Sequence, residues 1–214
     1  LNTPSNPTGA VHDIGELRAL LAWARERDII VASDECYAPL TWDVDEAPSI
    51  LDERVNDGDL TNVLCAYSLS KQSNLAGYRA AFVAGDPALV GELLAVRKHS
   101  GLMVPGPVQN AMAAALGEEA SASRQRETYR ARRETLAPAF EAFGGKIEHS
   151  EAGLYLWTTF GEASEASIER LAKLGILAAP GTFYGEAGAR HVRISLTATD
   201  ERIASAAERL RAAR

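Results

Sequence analysis

Residues 62–85 read NVLCAYSLSKQSNLAGYRAAFVAG. The runs NVLCAYS (62–68) and RAAFVAG (79–85) are short, continuous and apolar, the pattern of strands buried in a sheet. Between them the chain carries one lysine, Lys71, flanked by Ser68 and Ser70, with Arg79 at the far end of the segment. Of the 22 lysines and arginines only Lys71, Lys98, Lys146 and Lys173 are lysines. Arginine keeps its proton at any useful pH, whereas a lysine can lose it and become a nucleophile. A solvated surface lysine is the ordinary reading of such a residue, so its surroundings must decide.

Upstream, the run IIVAS (29–33) predicts another strand, buried on both faces and ending at Asp34. Before it, Ile14, Leu17, Leu20, Leu21 and Ala24 recur at helical spacing behind Asp13, a plausible N-cap. After residue 85 the pattern predicts helices over 87–98, 107–118 and 121–143, the last closed by Gly144 and Gly145. A strand over 154–160, a helix over 164–174, strands over 176–180 and 191–197, and a helix from Asp200 complete the chain. Helices alternating with buried strands predict an α/β domain over residues 1–118. A linking helix and a smaller α+β domain follow over 119–214.

Ligands of open α/β sheets bind outside the carboxyl ends of the strands. Asp34 ends one predicted strand and Ser68 to Lys71 follow another. If the two strands are neighbours, carboxylate and amine face one crevice.

Composition narrows the alternatives. With 46% hydrophobic and 24% charged residues over 214 positions the chain can bury a core, and its net charge of −7 leaves no basic footprint for nucleic acid or an anionic membrane. No apolar run approaches the roughly 20 residues that span a bilayer. Cys36 and Cys65 lack a C-x-x-C spacing, which suits reduced thiols in a cytoplasmic protein, and the four histidines show no metal-ligand spacing. The opening LNTPSNPTG reads as a loop with no methionine at position 1, which leads us to expect a fragment of a longer protein.

An amine, a carboxylate, an aromatic hydroxyl and a phosphate grip in one crevice suit pyridoxal 5'-phosphate. Its pyridine nitrogen needs a carboxylate partner, for which Asp34 can serve, and its aldehyde needs a lysine. Its phosphate wants an arginine fork and hydroxyls, which Arg79 and Ser68 can supply in part. Tyr37 and Asn6 could bond the ring hydroxyl.

Four motifs then stand in order: NPTG (6–9), SDECY (33–37), SLSKQSNLAGYR (68–79) and HVRIS (191–195). Together they resemble the second half of a class I/II, fold-type-I pyridoxal-phosphate-dependent aminotransferase. The resemblance implies part of that family's large cofactor-binding domain, a mainly parallel sheet with flanking helices, followed by its smaller C-terminal α+β domain. It assigns Asn6, Asp34, Tyr37, Ser68, Ser70, Lys71 and Arg79 to the cofactor, with Lys71 as the catalytic residue that bonds the aldehyde and then carries a proton. It assigns Arg193 and Asn6 to the substrate, Arg193 taking its α-carboxylate. That role has separate support, because Val192, Ile194 and Leu196 share one strand face and leave His191, Arg193 and Ser195 on the other.

The match extends through SDECYAPLTWD, VRKHSGLMVPGPVQ, HSEAGLYLW and ARHVRISLTATDERI, which resemble the actinobacterial type of succinyldiaminopimelate transaminase. This implies glutamate as amino donor, N-succinyl-2-amino-6-oxopimelate as acceptor on the route to diaminopimelate and lysine, and a homodimer. It also implies that the cofactor cradle is incomplete here, so the 214 residues alone are expected to bind the cofactor poorly and turn over little. Tyr155, Phe183 and Tyr184 lie where the resemblance places the substrate side.

Three rival readings carry less. Ser68-Leu69-Ser70-Lys71 fits a Ser-x-x-Lys acyl hydrolase, but the companion motifs S-D-N and K-T-G are absent. Another aminotransferase, or a β-lyase of the same fold, would use the same cofactor site. A non-enzymatic, aminotransferase-like sensor domain would go with a DNA-binding segment, and none is visible.

Overall fold

The computed structural model describes residues 1–101 and 103–213. They form two compact units, Leu1–Pro4 with Val11–Gln125, and Ser5–Ala10 with Arg126–Arg214.

The first unit opens with α1 (Ile14–Arg25). Asp13 caps it as the sequence predicts: its Oδ1 accepts from the Glu16 N–H at 2.8 Å while Glu16 Oε2 accepts from the Asp13 N–H at 3.0 Å. Leu17, Leu21 and Ala24 then lie on one face and pack with Val31, Ile50, Val55, Val63 and Cys65. Strand β1 (Val31–Asp34) is followed by the one-turn helix α2 (Glu53–Asn56) and by β2 (Val63–Tyr67). A second short helix, α3 (Leu69–Gln72), leads to β3 (Phe82–Gly85), α4 (Pro87–Arg97) and α5 (Gly106–Leu116).

The sheet order is β1-β2-β3. Strands β1 and β2 are parallel, with Asp34 opposite Ala66, whereas β3 runs antiparallel to β2. The sheet is therefore mixed. The long passage between β1 and β2 can cross over and return in the same sense, while the connection from Ser68 to Ala81 simply turns back. Burial on both faces of β1, expected from IIVAS, is not found. Val31 and Ser33 are buried, Ala32 and Asp34 exposed, because α1 and its neighbours cover one face.

The long helix α6 (Glu119–Ala142) runs across the division between the units. It stops where Gly144 takes φ +92° and the Gly145 N–H donates to the Phe140 carbonyl at 2.9 Å. The second unit continues with β4 (Lys146–Ile147), β5 (Tyr155–Thr159), α7 (Ser164–Lys173), β6 (Ala179–Pro180), β7 (His191–Ser195) and α8 (Asp200–Ala212). Its sheet is antiparallel throughout, ordered β4-β5-β7-β6. Leu154, Leu156, Val192, Ile194 and Leu196 are buried, as are Leu136, Phe140, Leu171, Ile203 and Leu210 on the helices. The strand expected over 176–180 shrinks to Ala179–Pro180. The Ile176 N–H is still engaged in closing α7, donating to the Leu171 carbonyl at 3.0 Å, and Leu177 stands in solvent.

Candidate active site

In the first unit the parallel pairing of β1 and β2 brings their carboxyl ends to one edge of the sheet. Asp34 ends β1, Ala66 lies opposite it, and Ser68 to Lys71 begin two residues later. Leu1 to Pro4 run beside Asp34: its N–H donates to the Leu1 carbonyl at 2.9 Å and its carbonyl accepts from the Thr3 N–H at 3.1 Å. The Asp34 Oδ1 accepts from the Cys36 N–H at 3.1 Å, a turn that carries the chain from the strand to Tyr37, which is buried. Burial pushes the Cys36 thiol up to about 12, helped by the Asp34 carboxylate and opposed by the positive charge of Lys71. One thiol thus feels both the acid and the amine.

Lys71 sits in α3, whose N-cap is Ser68. The Ser68 hydroxyl accepts from the Ser70 N–H at 3.2 Å and lies 2.8 Å from the Ser70 hydroxyl. It also reaches the Ala80 carbonyl at 3.2 Å, which closes the segment 68–80 into a loop. Arg79 has φ +52°, and its Nη1 donates to the Ala76 carbonyl at 3.0 Å while the side chain remains exposed. Asp34 therefore lies at the carboxyl end of β1, and Tyr37, Ser68, Ser70, Lys71 and Arg79 lie on the segments that follow β1 and β2.

In the second unit NPTG is built into a turn. The Gly9 N–H donates to the Ser5 carbonyl at 2.7 Å, and the Ser150 and Ala152 N–H groups donate to the Thr8 and Gly9 carbonyls. Gly9 takes φ +76°, and a Cβ there would lie 2.4 Å from the Ala152 carbonyl oxygen, which explains the glycine of the motif. The same turn presents Asn6, whose Oδ1 accepts from Arg193 Nη1 at 2.9 Å. Val192 and Ile194 are buried and Arg193 is on the opposite face of β7, as the alternation predicts. Its Nε is buried with no hydrogen-bond partner.

Around Arg193 stand Trp157 and Glu148, which carry no local signal in the sequence, and His191, which the alternation already sets on the same face. Trp157 is the cross-strand neighbour of Arg193 on β5 and stacks on His191, with centroids 4.8 Å apart and planes 2° apart. His191 Nε2 lies 2.9 Å from Glu148 Oε2, and Lys146 Nζ donates to Glu148 Oε1 at 2.7 Å. The ammonium of Lys146, with His191, holds the Glu148 carboxyl down at about 2. Glu148 and His191 are 43 residues apart, so only the folded sheet pairs them. Among the described residues no group of His, Cys, Asp and Glu could hold a metal, and no helix is long and apolar enough to cross a membrane.

The sequence profile of aminotransferase class I and II matches residues 1–210. A probable aminotransferase of Mycobacterium tuberculosis is 56% identical over 98% of this chain and 50% of its own length. The 4-dedimethylamino-4-oxo-anhydrotetracycline transaminase of Streptomyces rimosus is 55% identical over 98% of the chain and 58% of its own length. An LL-diaminopimelate aminotransferase of Aquifex aeolicus is 34% identical over 99% of the chain and 55% of its own. Among solved structures, an aminotransferase from Staphylococcus aureus superposes with a TM-score of 0.87 at 28% identity, over 99% of this chain and 56% of that one. The chain thus spans about half the length of the relatives it matches.

Proposed function

The chain belongs to the class I and II aminotransferase family, and from that premise we propose that it carries the anchoring lysine and the carboxylate grip of a transaminase that takes its amino group from glutamate. The family implies pyridoxal 5'-phosphate, and the donor set of the first unit fits that group. The observation that carries the reading is the placement of Asp34 and Lys71 after adjacent parallel strands, where both act on the Cys36 thiol.

When bound, the cofactor supplies an electron sink that makes the proton on an amino acid's Cα removable. Asp34 would accept a hydrogen bond from its ring nitrogen. The neutral hydroxyls of Ser68 and Ser70 and the guanidinium of Arg79 would hold its phosphate, and Tyr37 would face its ring hydroxyl. Lys71 Nζ would hold the cofactor's aldehyde end and, with its amine free, would take the substrate's Cα proton as base and return it as acid. In the second unit Arg193 would take a substrate α-carboxylate through its guanidinium edge, with Asn6 setting the edge's direction.

For the acceptor we favour N-succinyl-2-amino-6-oxopimelate, on the strength of the extended motif resemblance and of similarity to an LL-diaminopimelate aminotransferase. A second reading, a 4-dedimethylamino-4-oxo-anhydrotetracycline acceptor, draws on the higher identity to the Streptomyces rimosus transaminase. A homodimer in the cytoplasm completes the proposal, in keeping with two free cysteines. Residues 1–118 would form part of a large cofactor domain, and residues 119–214 a small domain with its linking helix.

Borohydride reduction of the protein with pyridoxal 5'-phosphate, followed by peptide mapping, tests the anchor. The pyridoxyl group should appear on Lys71 and vanish in Lys71→Ala; an adduct on Lys98, Lys146 or Lys173 in its place would remove the reading. Glutamate paired with each acceptor then separates the two substrate classes, and ammonia with pyruvate from an amino acid alone would point to a β-lyase.

A further inference from the structure

On the half-buried face of β5 and β7 that carries Trp157 and His191, the Arg193 guanidinium carbon lies 4.0 Å from the centre of the Tyr155 ring and 5.4 Å from that of Tyr184. Tyr155 reaches it from the neighbouring strand, where it pairs with Ser195, two positions along β7. Tyr184 comes from the 3-10 turn Gly181–Tyr184, which is pinned by the mutual approach of Gly181 and Gly188: a Cβ on Gly181 would fall 2.1 Å from the Gly188 carbonyl oxygen. The Tyr184 ring is in turn set edge-on against Trp157, with centroids 5.7 Å apart and planes at 87°, and Trp157 is held by its stack on His191. Nη1 of Arg193 is taken by Asn6, while Nε is buried without a hydrogen-bond partner.

A cation is drawn to an aromatic face by the ring's quadrupole, and that attraction makes no use of the N–H donors. An arginine held this way keeps its planar edge for a carboxylate, and its long side chain is ordered before any ligand arrives. The geometry points to Tyr155 and Tyr184 as positioning residues of the carboxylate grip, acting through their rings and not their hydroxyls. This rests on the proposal that Arg193 binds carboxylate, and deepens it by naming what holds the arginine.

The test follows the Arg193 Nε–Hε resonance of the 214-residue chain by NMR, assigned by its loss in Arg193→Lys, during a titration with glutarate as probe. Tyr155→Leu and Tyr184→Leu are each expected to shift that resonance toward the position of a free arginine and to weaken glutarate binding about 3- to 30-fold. Tyr155→Phe and Tyr184→Phe should keep both properties, since they keep the ring and the packing. Leucine variants that leave resonance and affinity unchanged would overturn the inference, as would phenylalanine variants as impaired as the leucine ones. If the wild-type chain binds no glutarate but the leucine variants still move the resonance, the ring-held arginine stands and the carboxylate reading of Arg193 falls.

Discussion

Cys36 shows how one residue reports on its neighbours. With its thiol pushed up to about 12, first by burial and next by Asp34, almost none of it is thiolate near pH 8. Iodoacetamide should modify it at least about 100-fold more slowly in the native protein than in denaturant. Asp34→Asn should recover only part of the rate, because burial remains. A native rate equal to the denatured one would show that the thiol does not sit between the acid and the barrier of burial described. Glu148 behaves in the opposite sense. Its carboxyl is held down from 4.5 to about 2, first by Lys146 and then by His191, so the carboxylate stabilises the fold above the ordinary value and that contribution fades as pH falls from about 4.5 to about 2. Solvent around the pair limits the effect, and Glu148→Gln should cost about 1 kcal/mol at pH 7. Urea unfolding of the two proteins should converge as the pH approaches 2; a gap that persists there would mean the loss is not electrostatic.

At the scale of elements, local chemistry decides where chains turn. The reciprocal bonds between Asp13 and Glu16 start α1, and Asp13→Ala should cost about 1 kcal/mol in chemical denaturation. The NPTG turn is less forgiving. A side chain at Gly9 meets both a left-handed backbone and the Ala152 carbonyl, so Gly9→Ala should cost about 3 kcal/mol or more and disturb the turn that presents Asn6. A stability loss below about 1 kcal/mol would show that the turn can open without consequence.

Across the whole molecule, the first unit leaves much apolar surface in water. Helix α4 has the sequence PALVGELLAVR and no fully buried residue: Leu89 and Val90 are half-buried, and Leu94 and Val96 are each 63% exposed. Phe82 and Val83 on β3, which contacts α4, are exposed too. An apolar surface of this kind favours association. Leu94→Glu combined with Val96→Glu should change stability by no more than about 0.5 kcal/mol while reducing self-association in sedimentation velocity. Unchanged sedimentation would show that this surface stays solvated on its own.

The order and type of the longer elements, the N-cap of α1, the glycine stop of α6, the alternation that sets Arg193 apart from Val192 and Ile194, and the four motifs that mark the family are all legible in the amino-acid sequence. Those features depend on residues a few positions apart, where periodicity, turn chemistry and steric limits act. The one-turn helices α2 and α3 and the two-residue strand β4 were not legible, since elements that short carry no period. Tertiary structure alone decided the antiparallel sense of β3, the open face of β1, the pairing of His191 with Glu148, and the two tyrosine rings around Arg193. Each of these joins residues brought together by sheet register and packing, and the energy that selects them appears only once the distant strands are side by side.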